Sequence, residues 1–172
     1  RIPSVLVAVA VTTVISWATG FQHNVQVDRA RIHSPLAQEL IQKFNQAVEE
    51  IPVLSEQRTR AMQALEGISK NGPARLEQLK AEHDASVLSL KIKHLKEDAH
   101  RYRERIRNLS FRGVQGPEGE MAFFLEGDVP QGVSHDGRLW RIPVGNQLLP
   151  EESLTLTGGG EVVGAIPSGL PS

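Results

Sequence analysis

Six histidines are the side chains of this sequence best suited to bind a metal ion, but their spacing argues against a metal site. They are His23, His33, His83, His94, His100 and His135. None forms the i, i+4 pair that places two imidazole rings on one face of a helix, and His94 and His100 fall on different helix faces. The chain contains no cysteine, which excludes thiolate ligands and disulfides. We therefore predict no metal site and expect these histidines to face solvent.

The other residues that could do chemistry lack the context that catalysis requires. Three consecutive glycines at 158–160 could begin a phosphate-binding loop, but Glu161 follows them in place of the Lys-Ser or Lys-Thr pair. A flexible joint is the better interpretation of these glycines. Serine, histidine and aspartate are present, but none lies in a nucleophile elbow. We therefore predict that the chain is not an enzyme, with no catalytic residue and no cofactor.

Charge is distributed unevenly along the 172 residues. The formal net charge is -1 and the pI is about 6.7, and basic residues alternate with acidic ones instead of forming a patch. This balance gives no electrostatic basis for binding nucleic acid. Residues 2–27 contain no lysine, arginine, aspartate or glutamate. The first part of the chain is therefore suited to an apolar environment and the rest to water.

The uncharged stretch at residues 2–21 is long enough to cross a membrane. A helix of this length spans about 30 Å, which matches the hydrocarbon core of a bilayer. The alternative is a secretory signal peptide cleaved near residues 18–20, but the apolar run is long for such a peptide. We therefore predict a transmembrane helix over residues 1–23. Because the chain begins at Arg1 and ends in a proline-rich run, we also expect a fragment of a longer protein.

The next segment carries the signals of a long helix. Ser34 is a suitable N-cap, and Pro35 suits the first helical position, where no backbone donor is needed. Apolar residues at helical spacing follow at positions 36, 40, 41, 44, 48 and 51. Pro52 removes a backbone donor, so we expect a kink or a short break there before the apolar stripe continues to Ile68. The Lys-Asn-Gly-Pro sequence at 70–73 then predicts a tight turn to a second helix.

A regular apolar seam characterises this second helix. Its members are spaced alternately by four and three residues: Ala81, Ala85, Leu88, Ile92, Leu95, Ala99, Tyr102, Ile106 and Leu109. Such a heptad pattern predicts that the two helices form an antiparallel coiled-coil hairpin. The charged residues around the seam are of both signs, and we interpret them as a solvated helix face. The hairpin is expected within residues 24–110, with helices at about 34–70 and 73–109.

Residues 111–160 are predicted to form a small β-rich module. Short β-prone runs occur at residues 121–125, 139–144 and 153–157, separated by glycine and proline. Asp136 and Gly137 lie between two of these runs and are typical of a two-residue type I′ hairpin turn, in which both central residues have positive φ. The segment has too few large apolar residues for an independent enzyme fold.

Two separated stretches carry a resemblance to a known family. The first contains Ile-Pro-Ser at 2–4, followed by the apolar residues 6–9 and Ile-Ser-Trp at 15–17. The second is Val-Val-Gly-Ala-Ile-Pro-Ser-Gly-Leu-Pro at 162–171. Together they resemble consecutive pieces of the SulP (sulfate permease) transporters, in which a short loop joins such segments. Here residues 24–160 interrupt that loop, and residues 161–172 would lead back toward the next membrane helix.

The resemblance implies that the parent protein is a secondary transporter of inorganic anions such as sulfate, bicarbonate or chloride. The expected fold class is mainly α: one transmembrane helix, the coiled-coil hairpin and the small β-rich module, within a polytopic protein of the plasma (inner) membrane. Residues 24–160 would be extracytoplasmic and would serve as an accessory or assembly element. No residue of this chain matches a substrate ligand. The matched residues Gly164, Pro167, Gly169 and Pro171 would shape the connection between segments.

The expected partners follow from the same resemblance. They are membrane lipid, an inorganic anion in the parent protein, a second copy of the protein in a homodimer, and a protein partner of the hairpin. A rival interpretation is a membrane-anchored periplasmic adaptor subunit of an export machine, which also combines an anchor, a helical hairpin and β modules. The adaptor would require half-lipoyl motifs on both sides of the hairpin and would lack the 162–171 motif. The sequence therefore favours the transporter.

Overall fold

The computed structural model describes residues 23–71 and 75–159. Two compact units are present. The first contains the described residues 23–34, 108–143 and 150–159 and is built around a β-sheet. The second contains the described residues 35–71 and 75–107, which form two long helices, together with residues 144–149.

Six strands form one mixed sheet in the first unit. They are β1 (His23–Asp28), β2 (Ile32–His33), β3 (Phe111–Gln115), β4 (Met121–Leu125), β5 (Trp140–Arg141) and β6 (Ser153–Gly158). Their order across the sheet is β1-β6-β5-β3-β4-β2. The neighbouring strands are antiparallel, except that β2 and β4 are parallel. The longest pairing joins β1 to β6, with His23 opposite Gly158 and Asp28 opposite Ser153.

The two edge strands of this sheet are consecutive in the chain. A 3-10 turn at Arg29–Arg31 separates β1 from β2, and the Asp28 carboxylate caps it by accepting a hydrogen bond from the Ala30 backbone N–H at 2.9 Å. Four residues from Asp28 to Ile32 can span at most about 15 Å. The two edges must therefore come close to each other, so the sheet curves back on itself and leaves little free edge for pairing.

The sheet has an aromatic core in which glycine makes room for a ring. Phe123 and Trp140 are buried and meet edge to face, with ring centroids 5.7 Å apart. A Cβ atom at Gly158 would lie 3.0 Å from the Trp140 ring, closer than ordinary packing allows. Leu154 and Leu156 of β6 are buried, and Thr155 between them is exposed, as the two-residue period of a strand requires.

The expected type I′ turn at Asp136-Gly137 is absent. Gly137 has a φ of 73°, but no described residue other than glycine has a positive φ, so Asp136 cannot occupy the first central position. The Asp136 carboxylate accepts hydrogen bonds from Trp140 Nε1 at 2.6 Å and from the Arg138 backbone N–H at 3.1 Å. Asp136 therefore orients the core tryptophan instead of closing a hairpin.

Other expectations for the β region hold in part. The strand expected at 121–125 is present, and the one at 153–157 extends to Gly158. The run at 139–144 contributes only the two residues of β5. Gly158 pairs with His23 and Trp140, and the Gly159 backbone N–H donates to the Leu139 carbonyl at 3.1 Å. The flexible joint predicted at 158–160 is therefore wrong for its first two residues, which are held by the sheet.

The second unit contains the helices α1 (Pro35–Asn71) and α2 (Arg75–Arg107). Phe44 and Val48 of α1 lie beside Ala99 near the end of α2, and Met62 of α1 lies beside Ala85 near its start. The helices are therefore antiparallel, and we refer to them as the helical hairpin. Residues 72–74, within the tight turn predicted between the helices, lie outside the described residues.

The expected break at Pro52 does not occur, because α1 continues through it as one helix. Proline has no N–H, so the helix loses the bond that position 52 would donate to the Val48 carbonyl. One turn further on, the Ser55 hydroxyl donates to the Ile51 carbonyl at 2.7 Å. The neighbouring backbone bonds and the packing of α1 on α2 outweigh the single bond lost.

The prediction of a mainly α chain with a membrane helix is wrong for the described residues. They contain two helices and a six-stranded sheet, which includes residues 23–33 that were expected outside any β module. Within residues 23–71 and 75–159, neither helix is long and apolar enough to cross a membrane. The predicted integral-membrane location therefore has no support in the described chain. The predicted span itself lies outside the described residues, except for His23, which begins β1.

The prediction of a coiled coil is also wrong. A coiled coil requires a heptad seam that is sustained along both helices, and only α2 has one. In α1, Ile41, Phe44, Val48 and Ile51 are spaced by three, four and three residues, but Ser55 and the exposed Arg58 occupy the next two positions of that seam. The helices pack as a hairpin without a seam that runs along the whole of both.

Candidate protein-binding face of the helical hairpin

The residues predicted to shape the connection, Gly164, Pro167, Gly169 and Pro171, lie outside the described residues. The described residues hold no group of three or more histidine, aspartate or glutamate side chains that could bind a metal ion. His135 accepts a hydrogen bond from the Gly137 backbone N–H at its Nδ1 atom, 3.1 Å away, and His100 contacts Arg103. The described histidines are thus dispersed, whereas exposed apolar side chains lie close together on the hairpin surface.

The hairpin has two halves that differ in burial. We define the open half as residues 35–52 and 92–107, and the turn half as residues 53–71 and 75–91. In the turn half, five large apolar side chains are about half exposed or more: Val53 (53%), Met62 (49%), Leu76 (81%), Leu79 (55%) and Leu90 (59%). Single exposed apolar residues are common on protein surfaces, but two of these five, Met62 and Leu90, lie at one groove.

That groove, which we call the hairpin groove, has a volume of about 720 Å³. Its wall from α1 consists of Met62 and Leu65. Its wall from α2 consists of Glu82, Ala85, Ser86, Ser89, Leu90 and Lys93. The centre of the groove is lined by small side chains, with large apolar ones beside them.

The serines of the hairpin groove present no unpaired donor to an incoming surface. The Ser86 hydroxyl donates to the Glu82 carbonyl at 2.8 Å, and the Ser89 hydroxyl donates to the Ala85 carbonyl at 2.8 Å. Both bonds reach back one helical turn. Covering these serines therefore leaves no donor without a partner, and their small size lets another helix approach closely.

Two opposite charges lie near the ends of the groove. Glu82 and Lys93 are three helical turns apart, about 16 Å along the axis of α2. Glu82 accepts a hydrogen bond from Gln78 at 3.2 Å, and Lys93 Nζ lies 3.9 Å from a carboxylate oxygen of Glu97. These contacts within one exposed helix face are weak, so both charges can pair with another molecule.

The residues along this face of α2, taken in reverse order, complement the same residues taken in forward order. Three pairs of groove residues lie at equal distances on either side of the midpoint between Val87 and Leu88: Glu82 with Lys93, Ala85 with Leu90, and Ser86 with Ser89. In a two-fold symmetric interface, residue i of one copy meets residue j of the other, and j meets i. An antiparallel second copy would therefore place glutamate on lysine, and leucine on alanine, twice each.

Sequence reasoning missed this face because it followed only the heptad seam. Leu79 and Leu90 lie outside that seam and are eleven residues, three turns, apart on one side of α2. This second, weaker apolar stripe was the available signal. The family models, the curated proteins and the solved structures contain no match to this chain. The resemblance to SulP transporters therefore stays a prediction.

Proposed function

We propose that the described part of the chain is an assembly element, which joins two copies of the protein through an antiparallel contact between their hairpin grooves. The observation that carries this proposal is the reversed self-complementarity of Glu82, Ala85, Ser86, Ser89, Leu90 and Lys93. It gives a specific form to the accessory or assembly role expected from the sequence, and a second copy of the chain is the partner.

Apolar burial supplies the attraction in this dimer. The Leu90 side chain, 59% exposed in one copy, would pack over Ala85 of the other, which is small and 6% exposed. Burial of apolar surface in the interface contributes about 25 cal/mol per Å² to the free energy of association. Met62, with its flexible thioether, can fill the remaining space beside the leucine.

Charge determines the orientation of the two copies. In the antiparallel arrangement, Glu82 of each copy faces Lys93 of the other. A parallel arrangement in register would instead place Glu82 against Glu82 and Lys93 against Lys93, and like charges at close distance are repulsive. The antiparallel dimer is therefore favoured over the parallel one.

Transport of an inorganic anion by a parent protein remains a separate prediction. It rests on residues 2–17 and 162–171, which lie outside the described residues. The assembly role rests on α1 and α2 alone, so the two can be tested independently.

Charge reversal on the 172-residue chain tests the proposal. Glu82→Lys alone and Lys93→Glu alone each turn two attractive contacts into repulsive ones, so each should weaken dimerisation about tenfold or more at low ionic strength. The double variant Glu82→Lys/Lys93→Glu restores opposite charges at every contact and should recover the wild-type dissociation constant. Sedimentation equilibrium measures all three.

Lys91→Glu is the matched control, because it makes the same charge change at an exposed position about half a turn of helix away from Lys93. It should leave dimerisation unchanged. A wild-type chain that stays monomeric at submillimolar concentration, or a double variant no better than the single ones, would show that the hairpin groove does not join two copies.

A further inference from the structure

A second concave site lies in the open half of the hairpin, away from the hairpin groove. It has a volume of about 460 Å³, within the range of small-molecule pockets. We call it the Arg103 cleft. Its apolar floor consists of Phe44, Val48 and Ile51 of α1, and its polar rim includes Lys96, His100 and Arg103 of α2. A site with this division fits a ligand that has one apolar and one polar end.

Arg103 is held in place by two neighbours. One terminal nitrogen donates to the side-chain oxygen of Asn146, and the other lies 2.6 Å from Nδ1 of His100. Because a guanidinium can only donate, His100 Nδ1 must accept this bond, and the histidine proton then resides on Nε2. The arginine is therefore oriented before any ligand arrives, which reduces the entropic cost of binding.

Arg103 also has unused capacity to bind an anion. A guanidinium carries five N–H donors, and the two contacts above use two of them. Its Nε atom is buried and has no hydrogen-bond partner among the described residues. The nearest carboxylate oxygen, from Glu104, lies 3.6 Å from Nε, too far for a hydrogen bond, and Glu104 instead accepts from Arg107 at 3.0 Å. A buried donor without an acceptor is costly, and a ligand oxygen would remove that cost.

The charge of the cleft favours an anion. Lys96 and Arg103 are cationic, and none of the described residues that line the cleft is acidic. Glu104, which forms an ion pair with Arg103 at 3.6 Å, offsets part of this charge from outside the lining. A planar guanidinium with parallel N–H donors matches a carboxylate in geometry. The other end is apolar, because Phe44 is buried there and Val48 and Ile51 are half-buried. Charge and shape together select a monocarboxylate with an aliphatic or aromatic body.

We propose that the Arg103 cleft binds a small monocarboxylate, with its carboxylate on Arg103 and Lys96 and its apolar body on Phe44, Val48 and Ile51. This inference does not depend on dimerisation, because none of these residues lines the hairpin groove. The charge-reversal pair Glu82→Lys/Lys93→Glu should therefore bind the ligand as the wild type does.

Octanoate, acetate and 1-octanol are the probes, used with the 172-residue chain in calorimetric titrations. Octanoate has both the charge and the apolar body, acetate has only the charge, and octanol has only the body. Octanoate should bind at least tenfold more tightly than either of the others. If octanol bound as tightly as octanoate, the cleft would recognise only the apolar body. If acetate bound as tightly as octanoate, the cleft would recognise only the charge. Either result would overturn the proposal.

Variants locate the binding. Arg103→Gln should weaken octanoate binding at least tenfold, and Arg103→Lys should recover only part of it because lysine lacks the forked donors. Arg101→Gln, at an exposed arginine that pairs with Asp98, is the control and should bind as the wild type does.

A second variant keeps the test valid if Arg103→Gln disturbs the fold. Val48→Phe fills the cleft but leaves Arg103 and Lys96 in place, and it should abolish octanoate binding while circular dichroism reports unchanged helicity. Undiminished octanoate binding by either Arg103→Gln or Val48→Phe would place the ligand elsewhere and refute the assignment.

Discussion

The open and turn halves of the helical hairpin use apolar side chains in different ways. In the open half, Leu40, Ile41, Phe44 and Ile92 are at most 4% exposed. In the turn half, Val53, Met62, Leu79 and Leu90 are about half exposed or more, and Ala85 is the one apolar side chain of the described turn half that is fully buried. The difference shows that apolar residues at helical spacing have two roles. Some stabilise the fold, and others remain available to a partner.

The largest expected difference between the halves is in the effect of an aspartate substitution on stability at two positions that are close in sequence, 90 and 92. Ile92 is 4% exposed and Leu90 is 59% exposed, although both are aliphatic residues of α2. Ile92→Asp buries an unpaired carboxylate and should lower the free energy of unfolding by roughly 3 kcal/mol or more. Leu90→Asp should change the stability of the monomer by less than about 0.5 kcal/mol. Urea unfolding followed by circular dichroism, at concentrations where the chain is monomeric, measures both.

Leu90→Asp should show its main effect in an association assay, with the hairpin still folded. Leu90→Asp removes the leucine that packs on Ala85 of the second copy and should weaken dimerisation, while leaving the hairpin folded. If Leu90→Asp destabilised the monomer as much as Ile92→Asp does, Leu90 would belong to the core. The contrast between the two halves would then disappear.

Pro52 lies at the boundary between the halves and gives an effect of intermediate size. Its substitution by alanine restores a backbone donor for the Val48 carbonyl, and Pro52 is exposed, so no cavity forms. Pro52→Ala should therefore stabilise the hairpin by about 1 to 3 kcal/mol. Thermal unfolding measures the shift, and hydrogen exchange should show slower opening of α1 around residue 52.

Pro35→Ala is the control for this change. Pro35 occupies the first position of α1, where a backbone donor has no acceptor within the helix, so alanine there should gain little. Equal stabilisation by Pro35→Ala and Pro52→Ala would mean that a general property of alanine, and not the restored bond at the boundary, produces the effect.

The smallest effect is expected from the surface charges of the open half. Lys43 donates a hydrogen bond to Glu39 at 2.5 Å, and this bond together with the attraction between their charges lowers the pKa of Glu39 below its usual 4.5. A lowered pKa in the folded state stabilises the fold at higher pH, and this contribution is lost as the pH falls through the lowered value. Since both groups are exposed, the contribution is small and screened by salt.

An NMR titration of the Glu39 carboxyl group tests this expectation. In Lys43→Gln, the pKa of Glu39 should return toward 4.5, while the unfolding midpoint at neutral pH stays close to that of the wild type. A large loss of stability in this variant would show that surface charge, and not only apolar burial, distinguishes the open half from the turn half.

Local signals in the sequence predicted the helices well, because helix formation depends on neighbours along the chain. Ser34 and Pro35 predicted the start of α1, and the Lys-Asn-Gly-Pro sequence at 70–73 predicted its end. The break predicted at Pro52 is wrong, because the free energy lost with one backbone hydrogen bond is smaller than the free energy gained when α1 continues to pack on α2. The seam on α2 was visible, but the seam of α1 ends at Ile51, since Ser55 and Arg58 follow at its next positions, and no coiled coil formed.

The candidate sites could be predicted less well than the helices. Leu79 and Leu90 were visible as apolar residues outside the seam, and Glu82 and Lys93 as charges at a three-turn spacing. Whether these side chains are exposed depends on how α1 lies against α2. The Arg103 cleft was beyond sequence reasoning, because Asn146 lies 43 residues from Arg103 and nothing in the local pattern connects them.

The sequence by itself therefore determined that two long helices are present, one beginning at Pro35, and where β4 and most of β6 lie. Only the tertiary structure decided that residues 23–28 are a strand. Residues 24–28 alternate strictly between polar and apolar, but the run is only five residues long, and it is fixed by β6, whose Gly158 lies opposite His23 across the sheet. Strand pairing satisfies backbone groups with partners far away in the chain, so a short strand is specified by its neighbour in space more than by its own residues.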